Sequence, residues 1–217
     1  GPDGSESTPK DITGLAMGDG TDTSGGQVTS NVITDTIKEL EGFSDDTYFD
    51  VNANRAGFGS DTRTDPVTGE VTTITEGMTV TREEAEADLN RRLDTEFIPS
   101  VIDAVGSDTF NSMAATTQAA LTSIAYNYGA GWADKLPTLA AAAATGDVNA
   151  IADAIEDRAV DNNGINNDRR TREAEMVRSG ITLGGDVASA DEIDRNIVLA
   201  SATGGSRDGY TPEEIAQ

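Results

Sequence analysis

Two carboxylates, Glu41 and Asp50, stand where this sequence could carry out acid–base chemistry. Glu41 falls in the last turn of an expected helix, directly before Gly42. Negative charge is disfavoured at that end by the helix dipole, and partial burial would add to the effect. The position therefore suits a carboxyl that keeps its proton, which is what a general acid needs. Asp50 lies nine positions on, at the start of an expected sheet. A helix end and the strand after it can bring two carboxyls to opposite sides of one cleft, the layout that hydrolyses glycosidic bonds. The plain alternatives are a solvated helix-end glutamate and a turn aspartate. Asp50, Asn52, Asn54 and Asp61 also fall at positions 1, 3, 5 and 12 of a calcium loop. Arg55 stands where that loop requires glycine and its closing acid is Asp rather than Glu, so no metal site is expected.

Composition excludes most other chemistries. The 217 residues include no cysteine and no histidine, which removes disulfides, thiolate nucleophiles, Ser-His-Asp machinery and zinc sites built on those ligands. No cofactor is expected. With 15 basic against 39 acidic residues the formal charge is −24, which opposes binding to nucleic acid or to an anionic membrane surface. No apolar run reaches the roughly 20 residues that span a bilayer, so no membrane insertion is expected.

The elements that must position the two acids follow from periodicity. Ser30 can cap a helix whose apolar positions Ile33, Ile37 and Leu40 recur at i, i+4 and i+7, with Gly42 ending it. From 47 to 74 the helical period disappears, and Asp65-Pro66-Val67-Thr68-Gly69 signals a turn, so a small sheet with a hairpin is expected. Thr81-Arg82-Glu83-Glu84 is a capping box that opens a helix with Ala85, Leu89 and Leu93 on one face, and Pro99 is expected to close that region. Between 116 and 128 a wide apolar stripe (Ala120, Leu121, Ile124, Ala125, Tyr128) reads as a central buried helix. Asp147 caps a helix carrying Val148, Ile151 and Ile155, and a last helix runs over about 168–178, before Gly180. One β unit followed by a run of helices predicts an α+β protein, a small β lobe beside a larger helical lobe.

Three short runs surround the two acids: Glu41-Gly42-Phe43, Tyr48-Phe49-Asp50 and Gly57-Phe58-Gly59. Together they resemble the active-site signature of the phage-type lysozyme family, the muramidase endolysins. Thr75-Glu76-Gly77-Met78-Thr79 is similar to its link between lobes, the run from Ala119 to Gly129 to its central helix, and Arg169-Arg170-Thr171-Arg172-Glu173-Ala174-Glu175 to its basic final helix. The resemblance covers about residues 30–180. It implies a lysozyme-like fold, with Glu41 protonating the glycosidic oxygen and Asp50 activating water or steadying the oxocarbenium-like transition state. It implies that one of Arg169 and Arg170 holds Glu41 in place, and that Phe58, Tyr126, Asn127 and Trp132 line the saccharide cleft. Core packing is the competing reading for Tyr128 and Trp132, and a solvated helix face for the arginines. Two positions depart from the family pattern. Its Thr before the Gly-x-Gly strand and its His after it are replaced by Arg55 and Ser60. Arg55 cannot accept a proton, so either Ser60 or Thr62 takes that role or the mechanism has shifted.

Residues 1–29 read as a flexible arm, 30–180 as the lysozyme-like domain, and 181–217 as a flexible segment with a short helix at 191–200. Gly1-Pro2 resembles a protease scar, and Thr211-Pro212-Glu213-Glu214 opens a helix three residues before the end at Gln217, as expected of a domain cut from a longer polypeptide. The expected partner is bacterial peptidoglycan, with other virion proteins joined through the parent polypeptide, and the expected location is a phage virion or the host periplasm and cell wall. The competing functional reading is a lysozyme-fold structural or binding module of the particle that has lost catalysis.

Overall fold

The computed structural model describes residues 23–50 and 52–180. Helix α1 (Thr23–Glu41) buries Ile33 and Ile37, and Gly42 ends it at φ +68°, its N–H bonding the Lys38 carbonyl at 3.1 Å. Ser30 lies inside this helix rather than capping it, so the stretch 23–29, expected as part of a flexible arm, is helical. Once a turn exists, each added residue brings a hydrogen bond, and this outweighs the low propensity of Gly25 and Gly26. The expected arm at 1–22 and the expected segment at 181–217 lie outside the described residues.

The β unit is two hairpins rather than one. Strands β1 (Ser44–Asp50) and β2 (Ala53–Gly57) pair antiparallel, Tyr48 opposite Arg55 and Asp50 opposite Ala53, with a bulge between Ser44 and Tyr48. Strands β3 (Thr62–Thr64) and β4 (Val71–Thr73) form the second, closed by a turn in which the Asp65 carboxylate accepts the N–H groups of Val67 and Thr68, both at 2.8 Å. Between the hairpins the chain reverses at Gly57-Phe58-Gly59, and the backbones of Ala56 and Ser60 bond each other in both directions at 3.0 and 3.1 Å. Gly57 is at φ +63°, and a Cβ there would meet the Ala85 Cβ at 2.8 Å, so only glycine fits.

Helix α2 (Arg82–Arg92) begins with the expected box: Thr81 accepts from the Glu84 N–H, and the Glu84 carboxylate accepts from the Thr81 N–H. Pro99 does not close the region. The helical path runs on through a π segment (Leu93–Phe97) into α3 (Ile98–Val105), where Pro99 sits in the first turn. The widened π turn and a first-turn place both tolerate a residue without an N–H. Helices α4 (Ser107–Ser112), α5 (Ala115–Tyr128), α6 (Trp132–Lys135), α7 (Pro137–Thr145) and α8 (Val148–Glu156) follow, then a 3-10 segment (Asp157–Gly164) and α9 (Asn167–Ser179). Asp147 caps α8 as expected, accepting from the N–H groups of Asn149 and Ala150. Every residue of α5 from Ala115 to Ala125 is buried. Helix α1 packs along one side of α5 and α9 against another, and this carries the end of α1 to the start of α9. The fold is α+β, small β hairpins followed by a mostly helical region, as expected.

Candidate active site

Glu41 sits where α1, α5, α9 and the Gly57–Gly59 reversal converge. Its Oε1 accepts from Arg169 Nη1 at 2.7 Å. Arg169 is itself fixed by Glu173 Oε1 at 3.1 Å and Ser123 Oγ at 2.9 Å. The Ser123 hydroxyl donates to Glu173 Oε1 at 2.5 Å, and Arg170 Nη1 donates to Glu173 Oε2 at 2.5 Å. The clamp on Glu41 therefore rests on a wholly buried carboxylate shared by two guanidiniums. Burial pushes the Glu173 carboxyl up, against the pull of Arg170 and then Arg169. Burial also works to lower Arg169, but the charges of Glu41 and then Glu173 outweigh it and hold Arg169 protonated.

On the opposite side Gly59, at φ +79°, brings bare backbone against Glu41: a Cβ there would lie 3.4 Å from Oε2. The reversal is pinned from α5, where the Tyr126 hydroxyl donates to the Phe58 carbonyl at 2.6 Å. Burial first, then the charge of Glu41, pushes the Tyr126 phenol above its ordinary value. Burial, then Asp50, then Glu41 raise the Tyr48 phenol as well. The charges of both carboxylates of the expected pair thus act on Tyr48. Asp50 is exposed near the tip of the first hairpin, its Oδ2 3.1 Å from Arg55 Nε. Asp50 pairs with Ala53 and Phe49 with Asn54, so Asn54 is a strand residue of the first hairpin and not part of a calcium loop. Among the described residues no group of His, Cys, Asp or Glu is placed to hold a metal ion.

Of the two arginines, Arg169 holds Glu41, while Arg170 donates to the exposed Asn127 through its Oδ1 at 2.7 Å. Two expected cleft residues are not at the surface. Phe58 is 2% exposed and packs on Phe43 with ring centres 5.6 Å apart, because the positive-φ glycines on either side turn its side chain into the core. Trp132 is 0% exposed: α6 packs against α3 and α5, and the largest apolar side chain of that turn fills the space between them. Tyr128 packs against the core as its competing reading had it, its hydroxyl bonding Asp161 at 2.8 Å. Ser60 and Thr62 do not face Glu41 with free hydroxyls. Ser60 donates to Asp88 Oδ2 at 2.7 Å, and Thr62 to Asp88 Oδ1 at 3.0 Å.

Sequence reasoning missed Ser123, Glu173 and Asp88. Glu173 left a signal, since it stands three and four positions after Arg170 and Arg169 and so shares their helix face. Asp88 left none that separates it from its solvated neighbours.

Comparison with known proteins bears on the family and the fold. The phage lysozyme family matches residues 38–175, a span that includes Glu41, Asp50 and Arg169. Among solved structures, the muramidase domain of SpmX from Asticaccaulis excentricus superposes with a TM-score of 0.51 at 20% identity, covering 67% of this chain and 92% of that one. That likeness is one of fold. No curated protein sequence matches the chain. Among the described residues no helix is long and apolar enough to cross a membrane. By the span of the family match and by its fold, the chain belongs to the phage lysozyme family, glycoside hydrolases of the muramidase type whose substrate is peptidoglycan.

Proposed function

We propose that the domain cleaves the bond between N-acetylmuramic acid and N-acetylglucosamine by general acid catalysis, with Glu41 as the acid and Asp50 as the second carboxylate. Glu41 in its protonated form donates its proton to the glycosidic oxygen as the C–O bond breaks. The ring carbon becomes oxocarbenium-like, and Asp50 either steadies that charge or activates the water that ends the reaction. Arg169 is the positioning residue for Glu41, Arg170 secures Glu173 beneath it, and Tyr126 and Asn127 border the saccharide.

The observation that carries the reading is the Arg169–Glu41 contact at 2.7 Å, with Glu41 Oε2 against the bare Gly59 backbone. One oxygen is held and the other lies beside backbone with no side chain in the way. This reading has the enzyme act on the wall of a bacterial host, carried there by a phage particle, with other virion proteins as neighbours. Detection of the chain in purified particles tests that location. Turbidity clearing of purified sacculi tests the chemistry. Glu41→Gln keeps an acceptor for Arg169 but has no acidic proton, and it is expected to lower the clearing rate by about 10²–10⁴ with melting temperature nearly unchanged. A folded Glu41→Gln protein that clears sacculi at the parent rate overturns the assignment.

A further inference from the structure

Arg55 connects the two sides of the site. It stands on β2 directly opposite Tyr48, the ring that feels both carboxylates. Its Nε lies 3.1 Å from Asp50 Oδ2, and its Nη1 donates to the Gly59 carbonyl at 3.1 Å. The Nε contact is one of charge against charge, since the N–H is not aimed at the carboxylate, and Nη1 supplies the directional bond. Gly59 is the residue at which an added Cβ would lie 3.4 Å from Glu41 Oε2. A single guanidinium therefore ties the second carboxylate to the backbone that walls the first. The other hydroxyl-bearing candidates near this turn, Ser60 and Thr62, are bonded to Asp88.

We propose that Arg55 is a positioning residue of the reaction: it fixes the Asp50 carboxylate relative to the Gly59 turn, and so relative to Glu41, leaving Asp50 Oδ1 for the sugar. The inference rests on the reading of Glu41 and Asp50 given above. In the free enzyme the pair is partly exposed, 27% for the Arg55 side chain and 50% for Asp50, so water screens it and it holds Asp50 only loosely. A glycan laid over Asp50 displaces that water, and the same two charges then attract each other more strongly. The contact thus acts chiefly in the bound state, where it bears on turnover more than on binding. Lysine at this position could reach Asp50 as a point charge but could not also bond the Gly59 carbonyl in the same fork.

The test uses the full chain and soluble, uncross-linked glycan strands, with release of reducing ends giving kcat and KM separately. Arg55→Met is expected to lower kcat by about 10²-fold, the size of loss that follows when a reacting group is misplaced by an ångström, with KM changed less than threefold. Arg55→Lys should recover part of the loss, and Arg55→Gln serves if the Met variant melts early. In an Asp50→Asn background, adding Arg55→Met should lower kcat no further, because the group it positions is gone. Folded Arg55 variants with parent kcat, or Arg55 and Asp50 losses that simply multiply, overturn the proposal while leaving Glu41 untouched. Parent-like activity of Glu41→Gln instead removes the reading on which the proposal rests.

Discussion

Asp88 should be a costly position to truncate although it lies outside the hydrophobic core. It lies on α2, wholly buried, and accepts from Ser60 at 2.7 Å, Thr62 at 3.0 Å, Thr64 at 2.8 Å and Arg91 at 2.7 Å. In Asp88→Ala these donors fare differently. Arg91 is partly exposed and turns to water, and the Ser60 and Thr62 hydroxyls, 3.3 Å apart, can bond each other. With Ser60 and Thr62 bonded to each other, Thr64, only 5% exposed, is the hydroxyl left without an acceptor and carries most of the loss. A buried hydroxyl in that state costs about 1–3 kcal/mol, and the bond it loses was to a charged carboxylate, so the upper end, roughly 3 kcal/mol, is expected. For a domain of this size that is a fall in Tm of about 6–12 °C. Differential scanning calorimetry reads it directly. Thr64→Val placed on top of Asp88→Ala should restore part of the stability by removing one orphaned hydroxyl, although alone it should destabilise. A Tm for Asp88→Ala within about 2 °C of the parent refutes the account, as does further destabilisation by Thr64→Val in that background.

Alkaline pH should destabilise the fold through Tyr126, whose phenol is raised by burial and by Glu41. Below pH about 10 the phenol is protonated in both states and its contribution is complete; above it the unfolded chain loses the proton first, so stability falls by about 1.4 kcal/mol per pH unit until the folded phenol also ionises. Tyr126→Phe should flatten that slope in denaturant titrations run between pH 9.5 and 11, and an unchanged slope counts against the assignment. Salt should act through the charge of −24: raising ionic strength from low salt to about 0.5 M shortens the Debye length from tens of ångströms toward a few, relieving self-repulsion and repulsion from an anionic wall. Melting temperature and sacculus clearing are both expected to rise, for residues 30–180 alone as for the full chain, and flat or falling curves make the charge incidental.

Much of this molecule is legible in its sequence because the deciding forces there are local. The absence of His and Cys removes imidazole and thiolate chemistry, and no fold can change that. The Thr81–Glu84 box and the Asp147 cap satisfy backbone N–H groups within a few residues, so they formed where the spacing puts them. The α5 stripe, apolar nearly all round, could only become a buried helix. Glu41 before Gly42 marked the helix end for the same reason. Tertiary structure decided what sequence spacing leaves open. Which of two adjacent arginines meets Glu41 depends on how α9 packs beside α1 and α5, 128 residues away along the chain. Asp88 reads as one more acid on a charged helix until three hydroxyls from the facing hairpin and its neighbouring turn close over it. Phe58 and Trp132 have the composition of sugar platforms, but the glycine reversal and the packing of α6 put both in the core, where burying their apolar area is worth more than exposing it. Arg55 cannot accept a proton, a limit its chemistry alone sets; that its guanidinium spans from Asp50 to the Gly59 carbonyl is a matter of strand register, fixed when Tyr48 pairs with Arg55 across the first hairpin.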